Sequence, residues 1–410
     1  MKTTLAALIV SLLAVTAHPL LAETPVRSVD TSLPIRVNSP RTLADWKLPA
    51  ERIALGEAYK PSMALLPTGE LVMVGLIQDQ LAGGKVREWT PLWRSTDGGQ
   101  TWSQRNEIKD MIGREQWLTS TRDGTLLATC HLLAQDVNNP DGYTHSYLHR
   151  STNGGRSWKR TRISSEGFPS PSEKGTMTSR NVVELADGTL LLGVGVNEYE
   201  GGRLAYLWKS TDGGKSWDKS APPVKLGGYQ GRPYHNFDAF FTEDFTFQTP
   251  SGKFLHFIRC GPPAEMYPMN DGRPVPKTDD SGDRTMRCES TDGGRTWSDV
   301  RDHGDYGMMY PRVIRLTDGR LLMTFTQRST FYPIGLQAII SHDDGETWDF
   351  DSDRIIIEGK TPWGMPSGGG FGNTVQLADG GLVSCCSYRA ADNKTYVEVV
   401  RWRLPPGEKK

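Results

Sequence analysis

The sequence predicts an all-β fold, a closed propeller of six four-stranded antiparallel blades, and two interleaved repeats carry that prediction. The first is a nine-residue pattern present five times: Ser95-Thr-Asp-Gly-Gly-Gln-Thr-Trp-Ser103, Ser151-Thr-Asn-Gly-Gly-Arg-Ser-Trp-Lys159, Ser210-Thr-Asp-Gly-Gly-Lys-Ser-Trp-Asp218, Ser290-Thr-Asp-Gly-Gly-Arg-Thr-Trp-Ser298 and Ser341-His-Asp-Asp-Gly-Glu-Thr-Trp-Asp349. Each copy holds the parts of a hairpin turn: an Asp or Asn that accepts local N–H bonds, glycine for positive φ, and a Trp with a ring to bury. The second repeat is a turn glycine between two apolar runs, at Gly69, Gly124, Gly188, Gly252, Gly319 and Gly380, with separations of 55, 64, 64, 67 and 61 residues. One period therefore holds two hairpins, which make one four-stranded blade.

Taken in chain order, residues 1–22 read as a signal peptide. Lys2 precedes an apolar run from Leu5 to Ala17, with small residues for cleavage after Ala17 or Ala22. That run of about 13 residues is short of the roughly 20 that a spanning helix needs, so the chain is expected to be exported, to the periplasm or the extracellular space. Residues 23–410 read as a single propeller domain. Gly380 is followed by only 30 residues and no sixth Asp turn, although Thr395–Trp402 supplies one more strand. The missing outer strand of blade six is expected from the segment before Tyr59. The Pro-, Gly- and Asp-rich stretch 261–286 reads as a long loop within blade four.

Composition narrows the functional classes. A net charge of −1 without a basic stripe argues against nucleic acid as a partner. Five cysteines are too few for a disulfide scaffold, and neither they nor the eight histidines have metal-ligand spacing, so no metal or cofactor is expected. Cys260 and Cys288 are candidate cross-strand neighbours. Because the Gly turns and the Asp turns join strands at one face, chemistry is expected at the other. Polar candidates there include Lys60, Asp79, Glu88, Arg114, Glu115, His131, Arg180, Tyr234, His235, Glu243, Arg259, Tyr310 and Arg328.

Asp turns of this kind on six blades resemble the sialidase (neuraminidase) superfamily, over roughly residues 55 to 404. That resemblance implies an exo-glycosidase that hydrolyses a terminal acidic sugar, sialic acid or a related keto-acid or uronate. It also implies a Glu nine residues before a turn glycine and an Arg seven after it, positions held by Glu243 and Arg259 around Gly252. The Glu would activate a nucleophile, and the Arg would bind a carboxylate through its planar fork. The family's first blade carries an Arg where this chain has Lys60, and Arg328 is the nearest substitute for its third Arg. Arg287 is an auxiliary cation candidate. The family's nucleophilic Tyr aligns with Gly370 or Phe371, which leaves Tyr388 or Tyr310 to approach from other strands, with Tyr388 assigned to the catalytic set. For the general acid, Asp79 is preferred over Glu88. Two other readings stay open: a uronate polysaccharide lyase using residues such as His131, His149, His235 or His303, and a glycan-binding propeller without catalysis.

Overall fold

A computed structural model describes residues 33–43, 45–164, 175–196, 204–229, 231–233, 240–260, 283–328, 333–361 and 369–407. The signal-peptide segment and Tyr234 and His235 lie outside these residues. Within them, six antiparallel blades form the predicted propeller.

The blades follow the glycine repeat. Blade one runs through Tyr59–Leu65, Leu71–Gln80, Pro91–Ser95 and Asn106–Glu107, and blade two through Arg114–Ser120, Leu126–Leu132, His145–Ser151 and Lys159–Ile163. In blade three the innermost strand is broken into Thr176–Thr178 and Val183–Glu184, both paired with Leu190–Val196, and Ala205–Ser210 follows. Blade four comprises Asp244–Gln248, Phe254–Cys260, Arg284–Ser290 and Arg301–His303. Blade five comprises Met308–Arg315, Leu321–Gln327, Gly335–Ser341 and Arg354–Ile356. Gly372–Gln376, Leu382–Arg389 and Thr395–Trp402 begin blade six.

Closure follows the expectation and adds to it. Ala50–Glu57 pairs with Thr395–Trp402 as the outer strand of blade six. Just before it, Ile35–Asn38 pairs with Arg354–Ile356 and widens blade five. Arg52 fastens the two. Its fully buried guanidinium donates to Leu33 O at 2.7 Å and Ile357 O at 2.8 Å and pairs with Glu398 at 2.8 Å.

The Ser and Asp or Asn hydrogen bonds recur in all five nine-residue repeats and the Trp bond in four of them, Trp217 Nε1 having no acceptor among the described residues. In the first, Ser95 Oγ receives the Gly99 N–H at 2.9 Å, Asp97 Oδ1 receives the Thr101 N–H at 2.9 Å, and Trp102 donates to Gly99 O at 3.2 Å. The Trp rings close against the blades, Trp297 most fully, against Phe240, Phe254 and His256. All five cysteines are buried and free. The register sets Cys260 opposite Arg284 and Cys288 opposite His256, so the two are offset along the sheet rather than facing neighbours.

Candidate functional site

At the face opposite the Asp turns, the innermost strands enter with a recurring irregularity. The pairing register slips at Tyr59–Ser62, at Arg114–Trp117 and at Met309–Arg312, one extra residue each time, and such bulges re-aim side chains. The bulged residues are Lys60, Glu115 and Tyr310, with left-handed φ of 46°, 59° and 54°. Prolines follow Lys60 and Tyr310, where the absent N–H costs no ladder bond. In blade three the break in the inner strand holds Arg180.

These residues meet at the axis. Tyr310 Oη donates to Glu243 Oε1 at 2.6 Å, and receives Lys60 Nζ at 2.9 Å and Arg259 Nη1 at 3.2 Å. Arg259 also pairs with Glu243 Oε2 and, through Nη2, with Asp283 at 2.6 Å. Arg180 bridges Glu115 at 2.7 Å and Glu243 at 2.9 Å, its guanidinium 4.1 Å from the Tyr310 ring centre. Lys60 closes the ring on Glu115 at 2.5 Å and lies 4.6 Å from the Phe371 ring. A cavity of about 400 Å³ opens over this cluster, lined also by Tyr59, Arg114, His131, Leu133, Met177 and Arg328.

The electrostatics are those of a cationic cleft. Burial alone would raise the Glu243 carboxyl, but Arg180 and Arg259 hold it down at about 2. Burial lowers Lys60 to about 8 against the pull of Glu115 and Glu243. For Tyr310, burial and then the Glu243 and Glu115 carboxylates push the phenol well above its ordinary value, so it is neutral and its proton is held for Glu243. Burial, then Arg180, brings His131 down to about 4, leaving a neutral ring 3.1 Å from Ser146 Oγ. Lys60, Arg114, Arg180, Arg259 and Arg328 thus face the carboxylates Glu115, Glu243 and Asp283, an excess of positive charge suited to an anionic ligand.

Glu243, Arg259, Lys60 and Arg328 of the predicted set come together here. The other three do not. Asp79 is a half-buried hairpin residue paired with Arg87 at 2.7 Å, on the rung next to Glu88 and therefore on the other side of the hairpin. Glu88, opposite Gln78 in the same hairpin, is buried instead; burial pushes its carboxyl up to about 7, and it accepts from Gln78 at 2.5 Å with Arg114 at 3.6 Å. Arg287 points toward the Asp-turn side, where Glu289 at 2.7 Å and Glu346 O at 3.3 Å hold it. Tyr388 stacks on Tyr396 of the next strand at 5.9 Å. Of the histidines offered for lyase chemistry, His149 sits inside blade two against Cys130, and His303 inside an aromatic cluster with Phe257, Trp348 and Phe350.

Arg180 and Glu115 were legible only as polar residues of the correct face. The signal that singles out the cluster is positional: Lys60, Glu115, Glu243, Tyr310 and Phe371 all stand nine residues before their turn glycines, and Arg180 stands eight before Gly188. His131 and Arg259 stand seven after theirs.

No protein-family model matches the chain, and no curated protein matches it in sequence. Its fold is matched among solved structures. A protein of unknown function from Dyadobacter fermentans is similar at 18% identity and a TM-score of 0.63, over 91% of this chain and 99% of that one. The intramolecular trans-sialidase from Ruminococcus gnavus gives 12% and 0.54, over 87% and 98%. The Penicillium chrysogenum alpha-L-arabinanase gives 16% and 0.54, over 90% and 98%. The chain thus has a six-bladed propeller fold, one found also in a sialidase-type enzyme and an arabinanase.

Proposed function

We propose that the protein is an exo-acting glycoside hydrolase that removes a terminal acidic sugar, with Tyr310 as nucleophile and Glu243 as its base. The observation that carries this reading is the 2.6 Å hydrogen bond from a neutral phenol to an ionised carboxylate inside a cationic cleft. A phenol attacks only as its proton leaves, and Glu243 is in place to take it. The substrate carboxylate would be held by Arg259, with Lys60, Arg114 and Arg328 adding charge. Competing for Arg259, it would relieve Glu243 of one of the cations that depress it and so strengthen the base.

Attack of Tyr310 Oη on the anomeric carbon breaks the glycosidic C–O bond, and the departing oxygen takes a proton. Glu88, behind Arg114 at the cavity wall and titrating near neutrality, is a better-suited acid than Asp79. Water then hydrolyses the tyrosyl glycoside, with net retention. The N-terminal leader supports export as part of the same reading. The neutral His131 in the cavity wall keeps β-elimination as a second reading, in which Tyr310 or His131 takes the proton beside a uronate.

The test is a screen of the purified protein against fluorogenic glycosides of sialic acid, related keto-acids and uronic acids, with proton NMR of the first anomer released. Retention with a glycosyl adduct on Tyr310 supports the proposal. Inversion, or a product with a C4–C5 double bond, overturns it.

A further inference from the structure

We propose that His131 is a specificity-determining acceptor: its Nε2 lone pair, open to the cavity, takes the hydrogen bond of a sugar hydroxyl. The inference rests on the acidic-glycoside reading of the site and adds a group that reads the hydroxyls of the sugar rather than its charge. His131 stands near the end of the second strand of blade two and lines the cavity beside Leu133 and Met177.

Two buried neighbours fix which nitrogen carries the ring proton. Ser146 Oγ, on the third strand of blade two, lies 3.1 Å from His131 Nδ1 and donates to Thr176 O of blade three, also at 3.1 Å. A hydroxyl has one proton to give, and a carbonyl oxygen can only accept it. Ser146 therefore receives its other bond from Nδ1–H, which leaves the lone pair on Nε2. Ser146 is fully buried and Thr176 1% exposed, so solvent offers that hydroxyl no other partner. Nε2 of His131 makes no hydrogen bond with a described residue, yet it is not enclosed as Nε2 of His149 is inside blade two. Burial, then Arg180 and more weakly Arg114, hold the ring neutral against the pull of Glu115 and Glu243, so the lone pair persists at ordinary pH.

The rest of the wall gives this acceptor its value. Lys60, Arg114, Arg259 and Arg328 are donors. The carboxylates are already engaged, Glu243 by Tyr310, Arg180 and Arg259, and Glu115 by Lys60, Arg114 and Arg180. Such a wall suits the carboxylate of a sugar, but each hydroxyl also has a proton to place, and burying one without an acceptor is costly. His131 accepts that proton and disfavours an ether or ester at the same position, where two acceptors would face each other.

Heteronuclear NMR of the histidine-labelled full chain reads the tautomer without any ligand, with His131→Phe identifying the signal. The proton is expected on Nδ1 in the wild type, and a mixture of tautomers in Ser146→Ala. On saturation with the methyl glycosides of sialic acid and of glucuronic acid, the Nε2 signal is expected to move in the direction of hydrogen-bond acceptance with at least one of them. With the fluorogenic glycoside that is turned over, His131→Phe should raise KM about threefold to tenfold with kcat changed less, and His131→Gln, whose Oε1 accepts, should recover most of the loss. A proton on Nε2 in the free wild type, or an Nε2 signal unmoved while those of Lys60 and Arg259 shift, overturns this proposal alone. Glycosides that leave every cavity signal unmoved overturn the acidic-sugar reading, and this assignment with it.

Discussion

Tyr310 and Glu243, 67 residues apart and on neighbouring blades, occupy the same position in successive repeats and share one proton-bearing contact of 2.6 Å. Inner strands that start at corresponding points bring their first side chains to one axis. One such position alone would place a single group at the mouth. Repeated around the ring, it assembles a base, a phenol, a lysine and a second carboxylate without any long excursion of the chain.

Removal of either member of that pair is expected to stop turnover while leaving the fold. Tyr310→Phe and Glu243→Gln should each lower kcat by about 10²–10⁴. Melting temperature and the binding of an unreactive acidic sugar report whether the site is otherwise intact. A Tyr310→Phe variant with ordinary kcat would exclude the phenol as nucleophile.

Arg259→Lys keeps the charge but loses the fork. KM for the acidic substrate is expected to rise about tenfold to a hundredfold, with kcat changed much less. A matched neutral sugar as control should show no such rise. Steady-state kinetics on the two substrates make the comparison.

The pH–rate profile should carry a falling limb near 7 from the protonated Glu88, and Glu88→Gln should abolish that limb together with most of the rate. Stability has its own sign. The folded carboxyl titrates at about 7 and the ordinary value is 4.5, so the contribution of neutral Glu88 is full below 4.5 and is lost as pH rises through 7. Denaturant melts across that window should show a shallower loss in Glu88→Gln than in the wild type.

Trp297→Ala, at the far face, should destabilise by about 3–5 kcal/mol without a specific effect on the kinetics of the folded fraction, since the ring fills a packed site among Phe240, Phe254 and His256. Urea midpoints and activity per folded molecule test the two halves of this statement. Lost turnover in a fully stable variant would contradict it.

Much of the fold was legible because the glycine at each hairpin and the Asp–Trp turn are local devices, read within a few residues. The outer strand of blade six was legible by subtraction, since blade six lacked one strand. The addition of Ile35–Asn38 to blade five was not, because edge pairing leaves no mark on so short a strand. At the site, Glu243 and Arg259 were found through the spacing in one blade. Tyr310 was passed over in favour of Tyr388 because a bulge decides which phenol turns to the axis, and that bulge, at φ 54°, shows in the sequence only through the spacing to the turn glycine that Tyr310 shares with the other blades. Asp79 and Glu88 stand on adjacent rungs of one hairpin and so face opposite sides of it, and which side is covered by the rest of the molecule is a tertiary property.

The clasp made by Ala50–Glu57 and Arg52 has a consequence for how the molecule is born. This strand is made before the inner hairpin of blade one, yet its partner Thr395–Trp402 is made only after the five blades between them. The Arg52–Glu398 contact spans 346 residues, so this strand must wait, unpaired, while the five intervening blades are synthesised. Joining of the ring should therefore be the slow, late event of biogenesis, and the waiting strand the part of the newborn chain most in need of a chaperone.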